Sequence, residues 1–186
     1  MQSIVFAEEQ FQIVQLNTDR SHVNSGDFFV IQVIYSVTDN NNKLQGIGFN
    51  IHYNSEYFES VEIENFYEYS VIGDPLVASE SVSDDDSDPE TDARIALGWA
   101  SVGSPSWPWI SLPVQLMRIK FTVKDNLGYK TTHFNITKNS NDFRYSFKGC
   151  SYYITMNKSL TSDINNDNQV DTVDAILLLQ HFSKIY

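Results

Sequence analysis

The sequence predicts an all-β protein, an antiparallel β-sandwich followed by one short C-terminal helix. Three observations favour this class: apolar and polar residues alternate from Phe11 to Met156, clusters of turn-forming residues separate the alternating runs, and helical periodicity begins only after Met156. With 186 residues and 41% hydrophobic content, the chain can build one sizeable core. We therefore expect a lead-in strand or leader remnant at 1–10, the sandwich at 11–157, and a loop with a helix at 158–186.

Each predicted strand places large apolar side chains at every second position. The clearest runs are DFFVIQVIYSV, IGFNIHY, RIALGWA and MRIKFTV, and the shorter HFNI and SYYITM continue the pattern. Such alternation is typical of a strand with one face in the core and the other in water. The residues predicted to face the core are Phe29, Ile31, Val33, Tyr35, Val37, Ile47, Phe49, Ile51, Tyr53, Ile95, Leu97, Trp99, Met117, Ile119, Phe121, Val123, Phe134, Ile136, Tyr152, Ile154 and Met156. Turns are predicted at 24–27, 38–43, 124–128 and 138–142, where Asn, Asp, Ser and Gly cluster.

Two segments interrupt the alternation. Residues 79–94 are acidic and poor in apolar side chains, which predicts a long exposed loop. Its carboxylates have no recognised cation-binding spacing, so we expect a solvated loop and leave a second cation there as an open alternative. Residues 101–113 carry three prolines, which exclude a central strand, beside Trp107 and Trp109.

The composition of the chain argues against several classes of function. The formal net charge of −12 argues against nucleic acid and anionic lipid as partners, because both bind clustered Lys and Arg. No apolar run is long enough for a membrane helix, which needs about 20 residues. Cys150 is the only cysteine, and the four histidines form no pair at metal-ligand spacing, which argues against zinc. No acidic residue falls on a predicted apolar strand face, so we predict that the protein is not an enzyme; a glycosidase is the weakest alternative.

The strongest motif lies near the C-terminus, in DINNDNQVDTVDAILLLQHF. Counted from Asp163, side-chain oxygens occur at positions one, three, five, nine and twelve, and position seven can offer its backbone carbonyl. This is the ligand order of an EF-hand calcium loop, in which oxygens at alternate positions surround one hard cation. The predicted Ca²⁺ ligands are Asp163, Asn165, Asp167, Gln169, Asp171 and Asp174.

The loop departs from the usual EF-hand pattern at two positions. Asn168 stands where glycine normally adopts a positive φ, and Asp174 shortens the usual bidentate glutamate by one methylene. Ala175, Leu178, Leu179 and Phe182 follow at i, i+3, i+4 and i+7, which predicts an amphipathic exiting helix. A solvated acidic turn is the alternative, but five correctly spaced oxygens before a helix favour calcium.

A calcium loop with an exiting helix, no entering helix, and Asp at position twelve resembles one repeat of a dockerin, the calcium-dependent module that binds cohesins. Dockerins carry two such repeats, and whether a second follows Tyr186 stays open. The resemblance implies that Thr172 and Val173, at loop positions ten and eleven, would contact a partner.

The preceding body resembles a cohesin-type domain. The resemblance rests on NSGDFFVIQVIYSVTDNNNKLQGIGFNIHYNSEYFESVEI, RIALGWASVG and LPVQLMRIKFTVKDNLGYKTTHFNIT, and covers most of 11–156. It implies a jelly-roll sandwich, secreted or displayed on a bacterial surface, that binds a dockerin- or cohesin-like protein in a scaffolding or adhesive role. Sandwich carbohydrate-binding modules share this architecture. The alternative function is therefore polysaccharide binding through Trp107 and Trp109. Trp99 is also interpretable as a core residue, and Trp107 and Trp109 as residues that cap one end of the sandwich and pin a loop.

Overall fold

The structure is a computed structural model that describes residues 8–18, 20–79, 86–157, 164 and 172–183, without the side chains of 181 and 182. Among these residues, no helix combines the length and the hydropathy that a membrane crossing requires. The described part is built from thirteen strands, one 3₁₀ turn at Ser55–Tyr57 and one α-helix.

The strands account for most of the sandwich region, and the helix lies close to the end of the chain. The bounds are β1 Phe11–Asn17, β2 His22–Asn24, β3 Phe28–Val37, β4 Lys43–Leu44, β5 Gly46–Tyr53, β6 Phe58–Glu64, β7 Leu76–Ser79, β8 Ala93–Ala100, β9 Trp107–Pro108, β10 Val114–Val123, β11 Lys130–Asn141, β12 Ser146–Gly149, β13 Tyr152–Asn157 and α1 Thr172–Ser183. The predicted all-β class and the predicted helix are both confirmed.

Two sheets form the sandwich. The five-stranded sheet has the order β12-β1-β3-β10-β6, the six-stranded sheet has the order β2-β13-β11-β5-β8-β7, and β4 pairs with β9 in a small separate ladder. Most neighbours are antiparallel, as predicted, but β1–β12 and β13–β2 are parallel. A parallel pair needs a long connection that brings the chain back in the same direction, and here the sandwich itself supplies that connection.

The predicted inward residues of β3, β5 and β8 are all buried between the two sheets. One end of the core is aromatic: the ring centroids of Phe58 and Phe121 lie 4.9 Å apart, and those of Phe29 and Phe121 lie 5.5 Å apart. Offset and edge-on pairs at such distances add to the stabilisation from apolar burial. The period-two pattern therefore identified the core correctly.

The structure differs from two local expectations. Strand β5 is buried on both faces, including Gly48, Asn50 and His52, which the alternation assigned to solvent. Side chains of neighbouring β11 cover this outer face, since Asn50 pairs with Asn139 and His52 pairs with Thr137. The predicted turn at 138–142 is instead the end of β11, where a register shift accommodates the polar run.

Candidate functional site

The predicted calcium loop is described only in part. Five of its six predicted ligands, Asp163, Asn165, Asp167, Gln169 and Asp171, lie outside the described residues. Asp174 is the third residue of α1 and is 1% exposed. Its Oδ1 accepts a hydrogen bond of 2.5 Å from the backbone N–H of Ile164, at loop position two. This contact joins loop position two to position twelve, as a closed loop requires.

Helix α1 begins at Thr172, directly after the predicted loop, and carries several exposed apolar side chains. Thr172 and Val173, the predicted partner contacts, are both exposed in its first turn. Leu178 and Leu179, from the predicted apolar stripe, are also exposed. The first turn of α1 is therefore accessible to another protein, as the prediction for Thr172 and Val173 requires.

The two tryptophans of the predicted carbohydrate platform lie in different environments. Trp107 is 0% exposed and packs between Tyr35 and Trp99, at centroid distances of 4.8 and 5.9 Å. Its assignment as a carbohydrate contact is therefore wrong. The interpretation of Trp99 as a core residue is confirmed, and Trp107 belongs to the core as well. Trp109 is 57% exposed, but Lys43 Nζ lies 4.7 Å from its ring centroid and occupies part of the ring surface.

The six-stranded sheet turns small residues outward along β5 and β8. Gly48 lies opposite Gly98, and Ala96 lies opposite Leu76 of the edge strand β7. Because these glycines and Ala96 have small side chains or none, the sheet surface has a shallow pocket of about 330 Å³ here. Ile72 and Gly98 help to line it. Ile72 and Leu76 are exposed beside it, and Leu76 is 61% accessible. We call this surface, defined by Gly48, Ile72, Leu76, Ala96 and Gly98, the aliphatic face.

A polar ladder borders the aliphatic face on the β11 side. The side-chain amides of Asn50 and Asn139 exchange two hydrogen bonds of 3.0 and 2.8 Å. His52 is buried, with Nε2 2.7 Å from Thr137 Oγ1 and Nδ1 3.8 Å from Asp86 Oδ2. One sheet surface therefore combines an apolar half with a hydrogen-bonded half.

The acidic segment folds onto this polar ladder. His133 Nε2 lies 2.6 Å from Asp88 Oδ2, while its Nδ1 lies 3.7 Å from Glu90 Oε2. Asn135 Nδ2 donates to Asp88 at 2.8 Å. The pKa of Asp88 is held below its ordinary value, chiefly by the backbone N–H of Glu90 and further by the side chains of His133 and Asn135. His133 is thus hydrogen-bonded to Asp88, whereas Glu90 lies within ion-pair distance of the ring but beyond hydrogen-bond distance.

This cluster corrects the expectation of a fully solvated loop at 79–94. In the described part of that segment, the Asp86 side chain is 3% exposed and accepts a hydrogen bond of 3.0 Å from Thr91 Oγ1. No local sequence signal indicates this cluster, because the histidines that meet these acids belong to β5 and β11 and only the sheet register brings them together.

Comparisons with known proteins bear on the fold. No protein-family model matches the sequence, and no curated protein matches it. A chain in the crystal structure of the CaDoc0917–CaCohA2 complex is 17% identical, with a TM-score of 0.50, covering 77% of this chain and 99% of that one. The solution structure of CaCohA2 from Clostridium acetobutylicum is 13% identical, with a TM-score of 0.47, covering 79% of this chain and 91% of that one.

The cohesin module of a family 33 glycoside hydrolase from Clostridium perfringens is 18% identical, with a TM-score of 0.47, covering 80% of this chain and 99% of that one. At such identities a likeness shows the fold alone, and that fold is the cohesin-like β-sandwich predicted from the strand pattern. The dockerin-like calcium repeat stays a prediction.

Proposed function

We propose that this protein is a non-enzymatic interaction module of cohesin type, secreted or displayed on a cell surface, where it recruits a dockerin-type partner in a scaffolding or adhesive assembly. The cohesin-like sandwich supports the class of module, and the aliphatic face is the observation that carries the proposal. Carbohydrate binding is the second candidate function. Of the two tryptophans predicted for it, only Trp109 is exposed, and Lys43 already lies over that ring.

The aliphatic face has the properties of a protein-binding surface. Exposed Ile72 and Leu76 stand beside the small, partly exposed residues Ala96 and Gly98 of β8, so a partner's side chains can approach that strand closely. Exposed Asn139, held by its hydrogen bonds to buried Asn50, provides a polar group at the rim. A helical module of dockerin type would place apolar side chains against the aliphatic half and polar ones against the rim.

Biolayer interferometry of the full chain against a panel of recombinant dockerin modules, including CaDoc0917, tests the proposed class of partner. We expect at least one module to bind, and Leu76→Asp to weaken that binding by at least about tenfold, because a carboxylate would be buried in an apolar contact. Val102→Asp is the matched control, since Val102 is fully exposed in a loop outside the aliphatic face. No binding to any module would contradict the proposed function, and equal binding by both variants would contradict the proposed surface.

We further propose that Ca²⁺ binds the C-terminal loop through Asp163, Asn165, Asp167, Gln169, Asp171 and Asp174. The burial of Asp174 and its contact with Ile164 support a loop closed on itself. A carboxylate buried at the start of a helix, amid other acids, is stabilised when a cation neutralises it. Thr172 and Val173 would then be held in place as a second, smaller contact for a protein partner.

Isothermal titration of the intact chain with CaCl₂ tests the loop. We expect one site with a dissociation constant on the order of 0.1–1 mM, as in other extracellular calcium modules, and at least tenfold weaker binding in Asp163→Ala. Asp74→Ala removes an equal charge from an exposed loop and should leave the affinity unchanged. An absence of binding in the wild type, or equal binding in Asp163→Ala, would disprove the site.

A further inference from the structure

The outer face of the five-stranded sheet carries a pocket on the side of the sandwich opposite the aliphatic face. Its volume is about 270 Å³, and it is lined by Arg20, Phe28, Phe29, Val30, Gln32 and Arg118. The described lining residues include two guanidinium groups, one amide and no carboxylate. This arrangement is unexpected in a chain with 24 acidic and 12 basic residues, where most cations can find an acid nearby.

Arg118 has no partner for its charge among the described residues. It lies on the outer face of β10, opposite Gln32 of β3, and its Nε is buried without a hydrogen-bond partner. Glu64 of β6 is its register partner on the other side, yet no ion pair joins the two described side chains. A buried donor without a partner costs free energy, so the described part of the fold does not fully satisfy this guanidinium.

Arg20 and Phe28 form the opposite wall. Arg20 donates from Nη1 to the backbone oxygen of Phe28 at 3.2 Å, and within the described part of the chain its other side-chain N–H groups have no hydrogen-bond partner. The half-exposed ring of Phe28 has Arg20 Cζ 6.0 Å and Lys120 Nζ 5.3 Å from its centroid. Lys120 is already paired with Glu62 at 3.3 Å, whereas neither arginine has an acidic partner among the described residues.

We propose that this pocket binds a carboxylate carried by a ligand of monosaccharide size. A guanidinium presents two parallel N–H donors that match the two oxygens of a carboxylate, and Arg118 and Arg20 would supply them. The amide of Gln32 can bond a hydroxyl group, and the exposed part of the Phe28 ring can contact an apolar ring face. The pocket is too small to enclose a drug-sized ligand completely. This site is independent of the proposed partner surface.

Glucuronate is the test ligand, with glucose as its neutral analogue, in a titration followed by ¹H–¹⁵N chemical shifts of the full chain. We expect glucuronate to shift the resonances of β3 and β10, and glucose to bind at least about tenfold more weakly, because it lacks the charge-assisted bonds. Excess acetate is expected to compete with glucuronate, because it presents the same carboxylate to the two arginines. No competition at saturating acetate would contradict recognition of the carboxylate.

Two substitutions of Arg118 test whether its guanidinium group binds the carboxylate of glucuronate. Arg118→Gln should weaken glucuronate binding by about tenfold, and Arg118→Lys should weaken it severalfold, because lysine keeps the charge but lacks the planar fork. Lys138→Gln changes the net charge equally on the other sheet and should have no effect. Unchanged melting temperatures would show that the variants are folded, since Arg118 makes no side-chain bond that the fold needs. Equal binding of glucose and glucuronate, or full binding by Arg118→Gln, would overturn the proposal.

Discussion

Replacing Asp142 by Asn is expected to lower the free energy of unfolding by about 2–4 kcal/mol, a typical cost when one partner of a buried charged pair is removed. The Asp142 side chain is 0% exposed, immediately after β11. Its carboxylate accepts from the backbone N–H groups of Gln45 and Arg144 at 2.9 and 3.1 Å, and from Arg144 Nε and Nη2, each at 2.9 Å. An amide would keep one acceptor and direct its own N–H groups at these donors.

The hydrogen bonds of Asp142 also hold one end of the sandwich together. The backbone N–H of Asp142 donates to Gln12 Oε1 at 2.7 Å, and Gln12 Nε2 donates to the hydroxyl of Tyr35 at 2.7 Å and to the backbone oxygen of Gly46 at 3.0 Å. Burial raises the pKa of Tyr35, so its hydroxyl stays protonated in this network. Loss of Asp142 should therefore loosen the ends of β1, β5 and β11 together, because buried polar networks lose more than one bond when one member is removed.

The Asp142 side chain also makes the free energy of unfolding depend on pH. The hydrogen bonds from Arg144 lower the pKa of Asp142 from 3.8 to about 2. Since the folded pKa lies below the unfolded value, this contribution is fully present above pH 3.8 and is lost as the pH falls towards 2. Urea unfolding at neutral pH and at intervals down to pH 2 measures both effects, and the stabilities of wild type and Asp142→Asn should converge in acid.

Asp74→Asn is the control for Asp142→Asn, because Asp74 is exposed and the substitution should change stability by less than about 0.5 kcal/mol. A matching urea midpoint for Asp142→Asn and wild type at neutral pH would show that the buried carboxylate does not stabilise the fold.

Gly46→Ala is expected to destabilise the protein by more than about 3 kcal/mol, through overpacking combined with backbone strain. Gly46 begins β5 at φ +135°, and a Cβ there would lie 2.0 Å from the backbone oxygen of Trp99 and 2.7 Å from Cα of Ala100. Both neighbours are backbone atoms of the paired strand β8, so no rotamer change relieves the clash. The two strands would have to separate where Trp99 enters the core.

The Gly103→Ala variant distinguishes the cost of the steric clash at Gly46 from the cost of a positive φ. Gly103 also has a positive φ, of +89°, but an added Cβ would meet nothing within 4 Å, so only the conformational penalty of about 1 kcal/mol applies. Urea unfolding and the soluble fraction on expression are measured for both variants. Equal stability of the two would show that the β5–β8 approach is looser than the structure describes, whereas insolubility of Gly46→Ala alone would agree with the expected clash.

The sequence by itself determined the sandwich class, the inward face of each main strand and the helix at the end of the chain. These features depend on local periodicity: a side chain at every second position of a strand points the same way, so Phe29, Ile31 and Val33 reveal their common face without knowledge of neighbouring strands. The resemblance to a cohesin-type domain was drawn from the sequence of these strands, and the structure agrees with it at the level of the fold. The calcium ligands were also predicted from local spacing, since a loop binds a cation through residues close in sequence.

Only the tertiary structure decided which polar residues meet. Register between β5 and β11 brings His52 and His133 to Asp86 and Asp88, and packing buries Trp107 while it leaves Trp109 exposed. The small residues of the aliphatic face likewise become one surface only when β5, β8 and β7 lie side by side. These contacts join residues far apart in the chain, and the alternation of apolar and polar side chains carries no information about which strands become neighbours.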